Sequence, residues 1–147
     1  MTEKQDTQID PRGYRFGAAV TLAVAVIALV LGADAGLIPM ALLVLMFVPG
    51  ATVGPQATIQ SWLFRRLVRP RLGPPAETES FRPPRFAQQL GLAMSTAALV
   101  LGLAGVDAGF YILGAFVAAA SFLNSVFDFC LGCEIYLLVK RMTARAA

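Results

Sequence analysis

Arg12-Gly-Tyr-Arg-Phe16, followed by a charge-free run to Ala33, returns 70 residues later as Arg82-Pro-Pro-Arg-Phe86, followed by a charge-free run to Val106. A helix rises about 1.5 Å per residue, so about 20 apolar residues cross the roughly 30 Å hydrocarbon layer. Both runs are near that length. Two more uncharged stretches, 35–64 and 108–127, follow them in turn. The pattern predicts an all-α integral membrane bundle of four transmembrane helices. Composition agrees: 57% of residues are hydrophobic and only 14% are charged, with the charges clustered rather than spread as a soluble surface requires.

Stretch 35–64 is too long for one crossing. It contains Pro49-Gly50 and Gly54-Pro55, which remove a backbone donor and loosen the helix, so a break is expected there. Beyond the break, residues 56–69 mix Ile59, Trp62, Leu63 and Leu67 with Arg65, Arg66 and Arg69. Such a mixture suits a short interfacial helix with tryptophan at headgroup depth. A second interfacial helix is expected after helix four.

The repeat extends further. Leu29-Val-Leu-Gly32 lies on Leu99-Val-Leu-Gly102, and after a three-residue insertion Asp34-Ala-Gly36 lies on Asp107-Ala-Gly109. Each copy therefore reads as a surface segment, a helix, a tight turn and a second helix. Two tandem helical hairpins result, related as a parallel repeat about an axis along the membrane normal. They form one membrane domain over 1–147, with repeat one at 10–71, repeat two at 80–142 and a disordered tail over 1–9. Ala33-Asp-Ala35 looks like a signal-peptidase site, but its repeat partner lies mid-chain and the first fifteen residues are not clearly basic. We read a retained helix.

Orientation follows from the basic residues. Arg65, Arg66, Arg69, Arg71, Arg82 and Arg85 occupy the central loop, Lys140, Arg141 and Arg145 the C-terminal segment, and the hairpin tips carry neither Lys nor Arg. The positive-inside rule places both termini and the central loop in the cytoplasm.

The only two cysteines, in Cys130-Leu-Gly-Cys133, fall where the last apolar run ends. They are the candidate catalytic pair. On the cytoplasmic face thiols are kept reduced, so a structural disulfide is not expected, and exchange, sulfur transfer or soft-metal binding gains weight. With an offset of 73, Gly54-Pro55 falls on Phe127-Asp128, which predicts a helix break before Asp128 and makes Asp128 an N-cap. Both cysteines then lie in the first turn of a terminal helix, where free amides and the helix dipole stabilise a thiolate. Asp128 and Glu134 oppose that effect. In the first repeat Ala57 and Gln60 take the matching places, so the pair belongs to one half only. Gly132 between the sulfurs lets a backbone or a partner thiol approach. A plain alternative is two small apolar side chains packed in a bundle.

Other polar groups admit simpler readings. Arg12, Arg15, Arg82 and Arg85 form either an anion site at the cytoplasmic mouth or contacts to lipid headgroups, the second being the simpler. Asp34 and Asp107 precede apolar helices, where N-caps belong. Thr52, Asn124 and Ser125 sit near inner helix ends and line a polar pocket or bond between helices. Gly17, Thr21, Ala25, Ala28 and Gly32, with Gly114 and Ala118, mark packing faces.

Absences exclude much. The chain has no histidine, which removes Ser-His and Cys-His nucleophiles and His-ligated haem or zinc. No phosphate-binding loop or dinucleotide fingerprint occurs, and the arginine-rich loop lacks the aromatic interleaving of a nucleic-acid surface. Two thiolates are half a metal shell, so a metal needs Asp128, Glu134 or a second subunit. No cofactor is identified; a soft metal or a quinone stays open.

Asp10-Pro-Arg12, Arg82-Pro-Pro-Arg-Phe86 and above all Cys130-Leu-Gly-Cys-Glu-Ile-Tyr136 resemble the domain of unknown function 4395 family of bacterial membrane proteins. The resemblance implies a bacterial plasma-membrane protein and, by association with thioredoxin-like proteins and thiosulfate sulfurtransferases, a part in thiol or sulfur metabolism. Three functions are compatible with the residues. The leading one is a membrane thiol protein exchanging disulfide or persulfide with a soluble thioredoxin-like or sulfurtransferase partner, Cys130 attacking. The alternatives are a small dimeric transporter for a sulfur-containing anion or soft metal, and a membrane anchor without chemistry of its own.

Overall fold

A computed structural model of the chain describes residues 7–146. Two-residue strands, β1 (Gln8–Ile9) and β2 (Glu79–Ser80), pair antiparallel, Gln8 opposite Ser80 and Ile9 opposite Glu79. The expected tail over 1–9 is thus pinned at Gln8; residues 1–6 lie outside the described residues. Most of the remaining described residues are helical. Helix α1 (Pro11–Ala35) begins with Pro11 at a position needing no amide donor, and the Asp10 carboxylate accepts the Arg12 N–H. Helix α2 (Leu37–Thr52) carries Pro49 and ends before Gly54, whose φ of 149° only glycine adopts readily. After a 3₁₀ turn at Pro55–Ala57, α3 (Ile59–Leu63) runs through a wide π turn at Phe64–Val68 into α4 (Arg69–Leu72). A wide turn here accommodates Pro70, which has no N–H to give. Helices α5 (Arg82–Leu103), α6 (Asp107–Phe127) and α7 (Leu131–Ala146) complete the chain.

Three helices, α1, α5 and α6, are long and apolar enough to cross a membrane; α2 is apolar but only 16 residues long. The large side chains face outward: Val30 is 80% exposed, Ile38 79% and Leu45 68%. Inside, small residues let helices approach, with Ala25, Ala28, Ala98 and Ser95 fully buried around Met40, Leu43 and Phe110. In lipid the outward apolar surface has no reason to hide, and close packing of small residues holds the helices together. The expected face Thr21, Ala25, Ala28 on α1 is buried, as is Gly114 on α6.

The four long helices form a ring. Helix α1 packs on α2 and α6, α5 packs on α6 and α2, and the helix following each pair returns to its own repeat's first helix: α3 to α1, α7 to α5. Backbone conformation sharpens the repeat. Gly32 (φ 84°) interrupts α1 and Gly105 (φ 80°) separates α5 from α6, so Gly32 answers Gly105 rather than the Gly102 expected from Leu-Val-Leu-Gly. The insertion therefore precedes the turn glycine. With the helices starting where they do, no side-chain cap bond forms at the start of α2 or α6, and the capping expected of Asp34 and Asp107 is not made.

Candidate functional site: a disulfide at a helix start

Helix α6 ends in a left-handed residue, Asp128 (φ 55°, ψ 29°), and the N–H groups of Asp128 and Phe129 both return to the Leu123 carbonyl. Aspartate is one of the few side chains that tolerates this conformation. Asp128 therefore closes α6 instead of opening the next helix, a correction to its expected N-cap role. The cap of α7 is Cys130. Its carbonyl accepts the Glu134 N–H (3.1 Å) and its Sγ accepts the Cys133 N–H (3.2 Å), the bonds an N-cap residue makes.

Cys130 and Cys133 are joined as a disulfide, S–S 2.09 Å. The form seen is the oxidised pair, not the reduced one that a cytoplasmic address led us to expect. Both cysteines are part-exposed. Cys130 Sγ lies at the positive end of a 16-residue helix and receives a backbone donor, two features that favour a thiolate once the bond is opened. The Tyr14 hydroxyl lies 3.6 Å from the same sulfur.

The acidic neighbours are unequal. Asp128 faces Arg15, Nε to Oδ1 3.6 Å, which reduces its opposition to a thiolate. Glu134 is exposed in the first turn of α7. Gly132 serves packing: a Cβ there would stand 2.6 Å from Ala87 Cβ, so the glycine lets the first turn of α7 lie on α5. Beside Cys130 is a cavity of about 130 Å³ whose lining includes buried Asn124, together with Tyr14 and Gln88. Thr52 and Ser125 stay out of it, their hydroxyls bonding back to Val48 and Phe122 carbonyls. Tyr14 and Gln88 went unnoticed in the sequence, although a tyrosine between Arg12 and Arg15 and a glutamine entering an apolar run are the available signals.

The first repeat holds the same construction in oxygen. Thr58 caps α3, its Oγ1 accepts the Ser61 N–H at 3.2 Å, and the two hydroxyl oxygens are 3.1 Å apart. Thr58 and Ser61 are thus the counterparts of Cys130 and Cys133, in place of the expected Ala57 and Gln60. The aromatic neighbours also correspond: Phe16 meets Phe64 at 5.9 Å between ring centroids, and Phe86 meets Tyr136 at 5.6 Å.

The arginines do not converge on one anion site. Arg15 donates to the Ser125 carbonyl (3.2 Å) in the last turn of α6, and Arg85 donates to the Ala51 carbonyl (3.3 Å) in the last turn of α2. Each guanidinium satisfies an orphan carbonyl and complements the negative helix end. Arg12 binds the Asp10 carboxylate (2.9 Å) and the Gly73 carbonyl (2.9 Å). Arg82 is exposed, and its N–H donates to Ser80 Oγ (3.3 Å). Burial of Asp10 acts to raise its pKa, but hydrogen bonds and charge from Arg12, with Arg69 nearby, outweigh it and hold the carboxyl below its ordinary range. Among the described residues no group of three or more His, Cys, Asp or Glu side chains is placed to hold a metal ion.

Fold and site together define an all-helical membrane protein with a cysteine pair at a helix start. The chain belongs to the family described as "Domain of unknown function (DUF4395)", whose model matches residues 9–141. No curated protein and no solved structure matches it.

Proposed function

We propose that this is a four-crossing membrane thiol protein whose Cys130/Cys133 pair, on the cytoplasmic face, exchanges electrons or sulfur with a soluble thioredoxin-like or sulfurtransferase partner. Four crossings are supported by connectivity. The entries to α1 and α5 are tied together by the β1–β2 pair and by Arg12 on Gly73, so the chain leaves and returns at one end. If α1 crosses, α2 crosses back. Its 16 residues span about 24 Å, and a slightly thinned bilayer accommodates that. Contact with Tyr14 supports a position for Cys130 at the same end, where the basic residues gather, and the positive-inside rule favours a cytoplasmic address for that end.

The observation that carries the thiol reading is Cys130 Sγ at the cap of α7, bonded to Cys133 and part-exposed. A partner thiolate attacks Cys130 Sγ; the mixed disulfide forms as the Cys130–Cys133 bond breaks and Cys133 leaves as thiolate. The partner's second thiolate then displaces Cys130. Two electrons and two protons pass from the partner dithiol to the pair. In the reverse direction Cys130 attacks a partner disulfide and Cys133 performs the second displacement. With a partner persulfide, Cys130 thiolate takes the outer sulfur as Cys–S–S⁻ and the partner leaves as a thiol.

Cys133→Ser removes the resolving sulfur, so a covalent adduct between Cys130 and a cytoplasmic thiol protein is expected on non-reducing gels of cells. Absence of any adduct, while the variant is stably inserted in the membrane, counts decisively against exchange. Protein-dependent uptake of thiosulfate or a soft metal into vesicles, abolished in Cys130→Ser/Cys133→Ser, would point to transport instead.

A further inference from the structure

We propose that the cavity beside Cys130 binds the ring of a lipid-soluble quinone, which oxidises the Cys130/Cys133 dithiol; this deepens the thiol-exchange reading and rests on it. Three observations lead there. The cavity measures about 130 Å³, the scale of the roughly 150 Å³ cavity that holds a benzene ring. No charged side chain lines it, so it suits a neutral ring better than a thiosulfate-like anion. Its lining runs from Cys130 to Thr21, about two helical turns beyond Tyr14 along α1, and reaches Phe116, which is 57% exposed on the outer face of α6. Entry is therefore from the bilayer.

The polar groups suit a ring carbonyl. The Gln88 amide lines the cavity, with its Oε1 packed toward Gly50 on α2. Tyr14, whose hydroxyl already lies 3.6 Å from Cys130 Sγ, and Asn124 provide hydrogen-bonding groups to a ring carbonyl. Quinones take two electrons and two protons from a dithiol in a membrane. In the reaction both S–H bonds break, the Cys130–Cys133 bond forms, and the two carbonyl oxygens of the ring become hydroxyls. The pair returns to the disulfide seen in the structure, ready for the next partner dithiol.

The test uses the full chain in liposomes, reduced, freed of reductant and mixed with a short-chain benzoquinone. One quinol per disulfide formed is expected, read by quinone absorbance and by maleimide counting of thiols. Ala120→Phe, which fills the cavity, is expected to slow quinol formation roughly tenfold or more. Equal rates in Ala120→Phe and wild type, or thiols consumed by addition to the ring without disulfide formation, would overturn the site. Should Ala120→Phe fail to fold, an azido-quinone used on the wild-type chain is expected to label peptides containing Gln88 or Phe116, and label confined to other peptides overturns the site equally. Exchange with a soluble dithiol protein, measured on the same liposomes, separates the two readings. Exchange without quinol formation defeats the quinone site alone, and loss of both defeats the thiol reading with it.

Discussion

Replacing Thr58 and Ser61 together by cysteine should create a second disulfide in the half of the molecule that has none. The two caps are alike in geometry: Thr58 Oγ1 and Cys130 Sγ each accept the N–H three residues on at 3.2 Å, and the Thr58 and Ser61 hydroxyl oxygens already lie 3.1 Å apart. The substitution removes two hydrogen bonds to the Pro55 carbonyl, one from each hydroxyl, at about 1 kcal/mol apiece. Closing a loop of about four residues returns about 1.9 kcal/mol on the chain-entropy relation. The reduced variant should therefore be about 2 kcal/mol less stable than wild type, and the oxidised variant within about 1 kcal/mol of it. Maleimide mass-tagging under air oxidation reads the bond directly, and thermal unfolding in detergent with and without reductant reads the difference. Were the two introduced thiols fully alkylated under conditions that keep Cys130 and Cys133 protected, the equivalence of the two helix starts would be refuted.

Two further outcomes test the packing. Arg15→Ala frees the Ser125 carbonyl at the end of α6 and should destabilise the bundle by about 1–2 kcal/mol, whereas Arg85→Ala leaves the Ala51 carbonyl its bond from Gln89 Nε2 (3.2 Å) and should cost less, both measured as shifts in thermal midpoint; equal shifts would show that Gln89 does not satisfy Ala51. Asp10 is held below its ordinary value of 3.8, so its contribution is complete above that value and lost as pH falls through its lowered folded value. Asp10→Asn should flatten the acid limb of the stability profile as pH falls below about 4, and an unchanged limb would remove Asp10 from the explanation.

Much of the architecture was legible because lipid demands uninterrupted apolar length, and length is a sequence property. The repeat was visible in Arg12, Arg15 and Phe16 against Arg82, Arg85 and Phe86. Its register was harder. Leu-Val-Leu-Gly is a weak marker inside apolar helices, and it drew Gly32 onto Gly102 when the positive φ that needs a glycine falls at Gly105. A further one-residue shift hid Thr58 and Ser61: the turn glycines align at an offset of 73 and the helix caps at 72, so carrying 73 onward pointed to Ala57 and Gln60. Asp128 misled for a related reason: aspartate suits both an N-cap and a left-handed helix end, and only the hydrogen bonds to Leu123 distinguish them. The partners of Arg15 and Arg85 lie on helices 110 and 34 residues away in sequence, so no local pattern could announce them. The cavity is likewise a product of helix packing.

The paired caps bear on how such a protein acquires chemistry. Starting α3 or α7 requires only an acceptor atom one bond beyond Cβ, and oxygen or sulfur meets that need equally well in this molecule. The cap then accepts either element at a modest cost in stability, and selection is free to act on it. A duplicated hairpin can keep a hydroxyl pair as an inert twin while its sister copy takes on redox reactivity. Innovation in this architecture needs neither a new loop nor a new pocket wall, only the exchange of one chalcogen for another at a position the scaffold already holds in place.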